Sequence, residues 1–147
     1  MDATVRHLQD RSAIHQLMAR YYHCVDRRDF TGVGAVFTDD ASVDFATGTP
    51  VKGREAIVRY ITGVGRYPVT THFMGNQLVE LKADTAEVET YAIAFHRGLF
   101  DGKEMDMAIG IRYLDRMVRR GQGWLVALRV MAYDWRRYDA VLTPPPR

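Results

Sequence analysis

Apolar and polar positions alternate with two different periods along this chain. From Ser12 to Val25 the residues Ile14, Leu17, Met18, Tyr21 and Val25 recur at steps of three and four, which sets them on one stripe of an amphipathic helix. That helix starts upstream near Asp10, and the polar RRDFTG ends it. Phe30 to Phe37 reads as a short second helix, TDDA as a turn, and Ala41 to Phe45 as a first strand. Thr47-Gly48-Thr49-Pro50 breaks the strand, and GREAIVRYI, from Gly53 to Ile61, reads as a third helix. After Pro68 the period becomes two. Thr71 to Leu81, Ala86 to Leu99, Met105 to Val118 and Trp124 to Arg137 read as long strands, joined by KADT, FDGK and RRGQG. In the second of these, Ala86, Val88, Thr90, Ala92, Ala94 and His96 share one face. Glu87, Glu89, Tyr91, Ile93 and Phe95 share the other.

Three helices followed by a strongly curved antiparallel sheet make an α+β fold with the helices packed on one face. Such a sheet closes into a cone whose mouth suits a small, mostly apolar molecule. The 147 residues suit one domain, 1–147, with an extended tail from about residue 139 that ends in LTPPPR.

Composition narrows the function classes. Charged residues make up 26% and the net charge is +2, with the two signs interspersed, which is no footprint for nucleic acid or a membrane surface. No run is long and apolar enough for a membrane span, and the polar N-terminus lacks a signal-peptide core, so a cytoplasmic protein is expected. The single cysteine, Cys24, rules out an intramolecular disulfide and reads as a small buried hydrophobe. No metal is expected, because no H-x-x-x-H or H-x-x-E-H pair occurs.

The ionisable candidates for the pocket are Asp26, His72 and His96, with Tyr21 and Tyr22 as hydroxyl donors. Asp26 ends the first helix, where the macrodipole disfavours an anion by up to about 1 kcal/mol. Two readings stay open. Arg27 and Arg28 can compensate it as a solvated surface residue, or Asp26 can turn inward to accept a histidine ring N–H and fix its tautomer. His72, in TTHFMGN, is likewise either a hydrogen-bonded core residue or a base. His7, His15 and His23 fall on exposed parts of the first helix or before it.

The segments RYYHCVDRRDFTGVGAVFTDDASVDF, KGREAIVRYI, TTHFMGN and RYLDRMVRRGQGWLV together resemble the SnoaL-like branch of the nuclear transport factor 2-like superfamily. YYHCVD, from Tyr21 to Asp26, resembles the start of the bile acid 7α-dehydratases. An equivalent Asp occurs in scytalone dehydratase and hexachlorocyclohexane dehydrochlorinase, and THFMGN resembles the base-carrying segment of all three. The resemblance implies a cofactor-independent, dehydratase-like lyase with Asp26 and His72 as a catalytic dyad, Tyr21 as a pocket hydroxyl and His96 as a second active-site histidine. Tyr22, Met74, Asn76 and Arg112 are the candidate substrate contacts. The same parts serve an isomerase or a polyketide-type cyclase, and the fold also serves non-enzymatic assembly subunits such as the small subunit of ring-hydroxylating dioxygenases. An epoxide hydrolase would need an Asp/Arg/Asp group, of which Arg112 with Asp115 is a loose echo. Arg112, Arg116 and Arg129 are expected in salt bridges with Glu87 and Glu89. Met74, Met105, Met107, Met117 and Met131 fill the core or soften a pocket. Trp124 and Trp135 pack the sheet or a subunit interface, and a dimer or trimer is expected to cover the exposed face of the sheet.

Overall fold

The computed structural model describes residues 3–141. Helix α1 (Ala3–Arg27) buries Ile14, Met18, Tyr21 and Val25 of the anticipated stripe, with Leu17 half-buried, and buries Tyr22 and Cys24 as well. It begins earlier than Asp10. Its first turns are tied down by Asp10, which accepts two hydrogen bonds of 2.7 Å from Arg119 and one of 3.1 Å from Trp124 Nε1. Arg11 adds a bond of 2.9 Å to the Val79 carbonyl.

Helix α2 (Phe30–Gly34) is only one turn long. The Asp29 carboxylate caps it by accepting from the Gly32 N–H, and Gly32 is required because a Cβ there would strike that carboxylate and the Cys24 sulfur. The chain then enters β1 (Phe37–Asp44), so TDDA is strand and not turn. Phe37, Ala41 and Val43 explain why, since all three are fully buried against the helices. A two-residue strand β2 (Val51–Lys52), helix α3 (Arg54–Ile61) and a 3₁₀ turn (Thr62–Arg66) follow. Gly53 supplies the left-handed φ of 87° that starts α3.

Four long strands complete the chain: β3 (Val69–Lys82), β4 (Thr85–Phe100), β5 (Lys103–Arg120) and β6 (Gly123–Ala140). The expected tail from about residue 139 is therefore strand as far as Ala140, and LTPPPR lies outside the described residues. The order across the sheet is β2-β1-β6-β5-β4-β3. Every pairing is antiparallel except β1 with β6, which is parallel, so the sheet is mixed. The helical layer is one long helix with short ones beside it, rather than three clear helices. Alternation on β4 holds throughout: Ala86, Val88, Thr90, Ala92, Ala94 and His96 are all buried on the concave face. The expected ion pairs sit on the convex face, with Arg116 bonded to Glu87 at 3.0 Å and Arg112 held by Asp134 at 2.7 Å and Glu89 at 3.4 Å.

Candidate active site

The concave face of the sheet and the helices enclose a cavity of about 610 Å³. Val25, Ile61, Met107, Ile109, Ile111 and Met131 give it apolar walls, and Tyr21, Tyr60, Tyr67, Tyr113, Tyr133 and Tyr138 add hydroxyls. His72 and His96 both line it.

Asp26 turns inward. Its Oδ1 lies 2.7 Å from His72 Nδ1, and its Oδ2 accepts the His72 backbone N–H at 2.9 Å. A carboxylate only accepts, so Nδ1 carries the ring proton and Nε2 keeps a free lone pair. The Thr70 hydroxyl donates to the same Oδ1 at 2.9 Å. Burial pushes the Asp26 carboxyl up, but the hydrogen bonds from the His72 ring and backbone and from Thr70 outweigh it, and its pKa is lowered. The pair is well covered, with the side chains 7% (His72) and 21% (Asp26) exposed.

Arg28 holds this arrangement from behind. It has a left-handed φ of 60° and takes the position just past the helix end. One guanidinium nitrogen donates to the Val25 carbonyl at 2.9 Å, the Asp26 carbonyl at 3.3 Å and Thr70 Oγ1 at 2.7 Å. The other donates to the Tyr67 carbonyl at 2.8 Å. The last carbonyls of α1 thus receive the cation that the macrodipole favours, and β3 is clamped to the helix end. Sequence reasoning missed Thr70 and assigned Arg28 only a generic charge. Thr70 stands two residues before His72 on the same strand face, a signal that was available. No local pattern announces the Arg28 conformation.

His96 stands across from Thr70 on β4, its ring 5.8 Å from that of His72 and edge-on to it. Its Nδ1 is buried without a hydrogen-bond partner among the described residues. Burial first, then any proton taken up by His72 and the guanidiniums of Arg66 and Arg28, outweigh the pull of Asp26 and lower its pKa to about 4, so it is a neutral imidazole near pH 7. Tyr21 is buried on the cavity wall, and burial raises its pKa, keeping the phenol protonated as a donor.

Four sequence candidates for substrate contact do not line the cavity. Tyr22 lies behind His72, its ring stacked on the imidazole at 5.7 Å. Met74 packs into the core beside it. A break in register between Met74 and Gln77 leaves Asn76 exposed, and Asn76 lines a shallow groove of the convex face with Phe73 and Trp135. Arg112 is convex-facing because its neighbours Ile111 and Tyr113 take the buried positions. Asp115 goes the opposite way, into the core, where Arg129 binds it at 2.7 and 2.8 Å, so no Arg112/Asp115 group forms. Arg129 is thereby also separated from Glu87 and Glu89. Cys24 is buried, and burial followed by the Asp29 carboxylate raises its thiol pKa, which is unfavourable for a nucleophile. Among the described residues no group of three or more His, Cys, Asp or Glu could hold a metal ion, and no helix is long and apolar enough to cross a membrane.

The profile of the SnoaL-like domain matches residues 6–130, a span that holds most of α1, the Asp26–His72 pair and most of the sheet. The chain belongs to the SnoaL-like family. This SnoaL-like domain is 33% identical over 130 residues to an uncharacterized protein of Mycobacterium tuberculosis, which covers 86% of this chain and 87% of the relative. Among solved structures it resembles a type 3 hexachlorocyclohexane dehydrochlorinase of Novosphingobium barchaimii, with a TM-score of 0.86, 21% identity and coverage of 98% and 100% of the two chains. A candidate scytalone dehydratase of Novosphingobium aromaticivorans matches with a TM-score of 0.83, 21% identity and coverage of 97% and 99%. At that identity the two likenesses establish the fold alone; together with the family match it is the nuclear transport factor 2-like fold of the SnoaL-like branch.

Proposed function

We propose that this SnoaL-like domain is a lyase of the dehydratase type that acts on a small cyclic substrate through the Asp26–His72 pair. The observation that carries the reading is the 2.7 Å contact between His72 Nδ1 and Asp26 on the wall of a cavity whose inner walls are largely apolar and phenolic. It leaves Nε2 as the basic atom. In the proposed step Nε2 takes a proton from a carbon next to a carbonyl or similar activating group, and the C–H electron pair becomes the new C=C π bond. The leaving group on the adjacent carbon departs with its own bonding pair, as halide or, once protonated, as water. Asp26 stabilises the imidazolium that forms, and Tyr21 donates where negative charge develops on oxygen. His96, neutral, hydrogen-bonds the departing oxygen, and the imidazolium of His72 returns the proton. An imidazole base and an activated C–H are sufficient for this chemistry without a cofactor.

Two structures that share the fold carry names that denote elimination, which supports the class of reaction. The test is to incubate the protein with β-hydroxy cyclic ketones, following enone absorbance and the mass loss of water. Wild type should turn over at least one of them, and His72→Ala should be slower by about 10²- to 10⁴-fold. A product of unchanged mass would assign an isomerase, and equal rates for wild type and variant would sink the role of His72. The convex face, with Phe73, Tyr91 and Trp135 exposed, supports association of copies, which sedimentation velocity measures directly.

A further inference from the structure

The arginines of strands β4 to β6 are nearly all neutralised. Arg97 sits on Asp106, Arg112 on Asp134, Arg116 on Glu87, Arg119 on Asp10, Arg129 on Asp115 and Arg137 on Asp139. Arg120, at a hairpin tip, and Arg136 have no carboxylate partner among the described residues. Arg136 lines the cavity, and so does Arg66 from the 3₁₀ turn, which has no carboxylate partner either. Instead both guanidiniums lie over tyrosines of the cavity wall. Arg66 is 4.8 Å from the Tyr67 ring centroid and donates to its hydroxyl at 2.9 Å, and Arg136 is 5.9 Å from the Tyr133 centroid. No Asp or Glu is among the lining residues. Both arginines are exposed, whereas Tyr21 and His96 are buried, so the arginines mark the solvent end of the cavity and the histidines its inner end.

We propose that the substrate carries an anionic group, of carboxylate type, that seats between Arg66 and Arg136 at the cavity mouth while its ring packs against the tyrosines toward His72. A neutral substrate would leave the two guanidiniums to water and the tyrosine rings; an anion pairs with their planar donors and points the rest of the molecule inward. The same positive potential reaches His96, where Arg66 contributes to holding the imidazole neutral. This inference rests on the cavity being the substrate site, but not on the reaction performed there.

Calorimetric titration with 2-naphthoate and the isosteric, uncharged 2-naphthamide at pH 8 tests it. Wild type should bind the carboxylate about fivefold more tightly, a modest factor because the guanidiniums are solvated. The preference should shrink as salt rises. Arg66→Gln combined with Arg136→Gln should abolish it while leaving naphthamide binding in place, and the remote Arg59→Gln should leave it unchanged. Equal affinity for the two probes, or no binding of either, overturns the inference. His72→Ala keeps the preference if the inference holds. A carboxylate preference in a protein that never eliminates water or halide would overturn the lyase reading alone.

Discussion

Two acid–base pairs in this molecule have the same length and opposite characters. Asp26 meets His72 at 2.7 Å and Asp115 meets Arg129 at 2.7 Å. The second pair is sealed, with both side chains 0% exposed and the guanidinium between the rings of Tyr21, Tyr113 and Phe37 at 4.5, 4.8 and 5.4 Å. Its cation cannot surrender a proton in the accessible range, so it can only hold position. The first pair borders a cavity, and its base retains an unshared nitrogen. Contact distance therefore does not separate a structural pair from a chemical one. Access and a titratable partner do.

The largest effect that sharpens this contrast should come from the sealed pair. Asp115→Ala strands a buried guanidinium and should lower the unfolding free energy by about 3–5 kcal/mol in urea titrations. A loss near zero would mean that Arg129 is solvated. Asp26→Asn should do the converse: a cooperative fold is kept, because the amide oxygen in the Oδ2 place still accepts from the His72 backbone N–H, while the NH2 in the Oδ1 place faces Nδ1 and favours the wrong ring tautomer, so kcat on whichever substrate the first assay finds falls about 10²- to 10⁴-fold. Unfolding of that variant at room temperature would blur the contrast. His96 gives a smaller, pH-gated effect. Below pH 6.5 the unfolded chain binds a proton that the folded chain refuses until about pH 4, so stability falls as pH falls through that window. The loss should be on the order of 2 kcal/mol, and denaturation of His96→Leu should show a flatter pH profile over the same range. Arg112→Gln, on the convex surface, should cost less than about 1 kcal/mol despite breaking two ion pairs, as a thermal melt will show.

Much of this was legible before any coordinates. The stripe on α1 and the alternation on β4 are local patterns fixed by 3.6- and 2-residue periods, and they place Tyr21 and His96 on the inner face. The motif resemblance brought Asp26 and His72 together across 46 residues. What was hidden is non-local. The parallel pairing of β1 with β6 depends on the two strands meeting across the sheet, and nothing in TDDA says that Phe37 and Val43 will be covered. The Asp115–Arg129 pair was unread because charged residues on an alternating strand look like surface until their partner is known. Asn76 was misplaced because an irregularity after Met74 in β3 reverses which side a residue takes, and no residue in MGNQ signals it alone; Met74 keeps the side of His72 but packs against the core instead of the cavity.

Trp135 lies directly over Gly110 on the convex face, where any Cβ would collide with the indole, and it remains 44% exposed. Trp124 is 3% exposed, bonded to Asp10 and capped by the Arg119 guanidinium at 4.5 Å. These are the chain's two tryptophans, so its ultraviolet emission comes from two separable reporters. Acrylamide should quench the red-shifted Trp135 component and spare Trp124. Anything that settles on the convex face will thus darken or blue-shift one component while the other continues to report that α1 is docked.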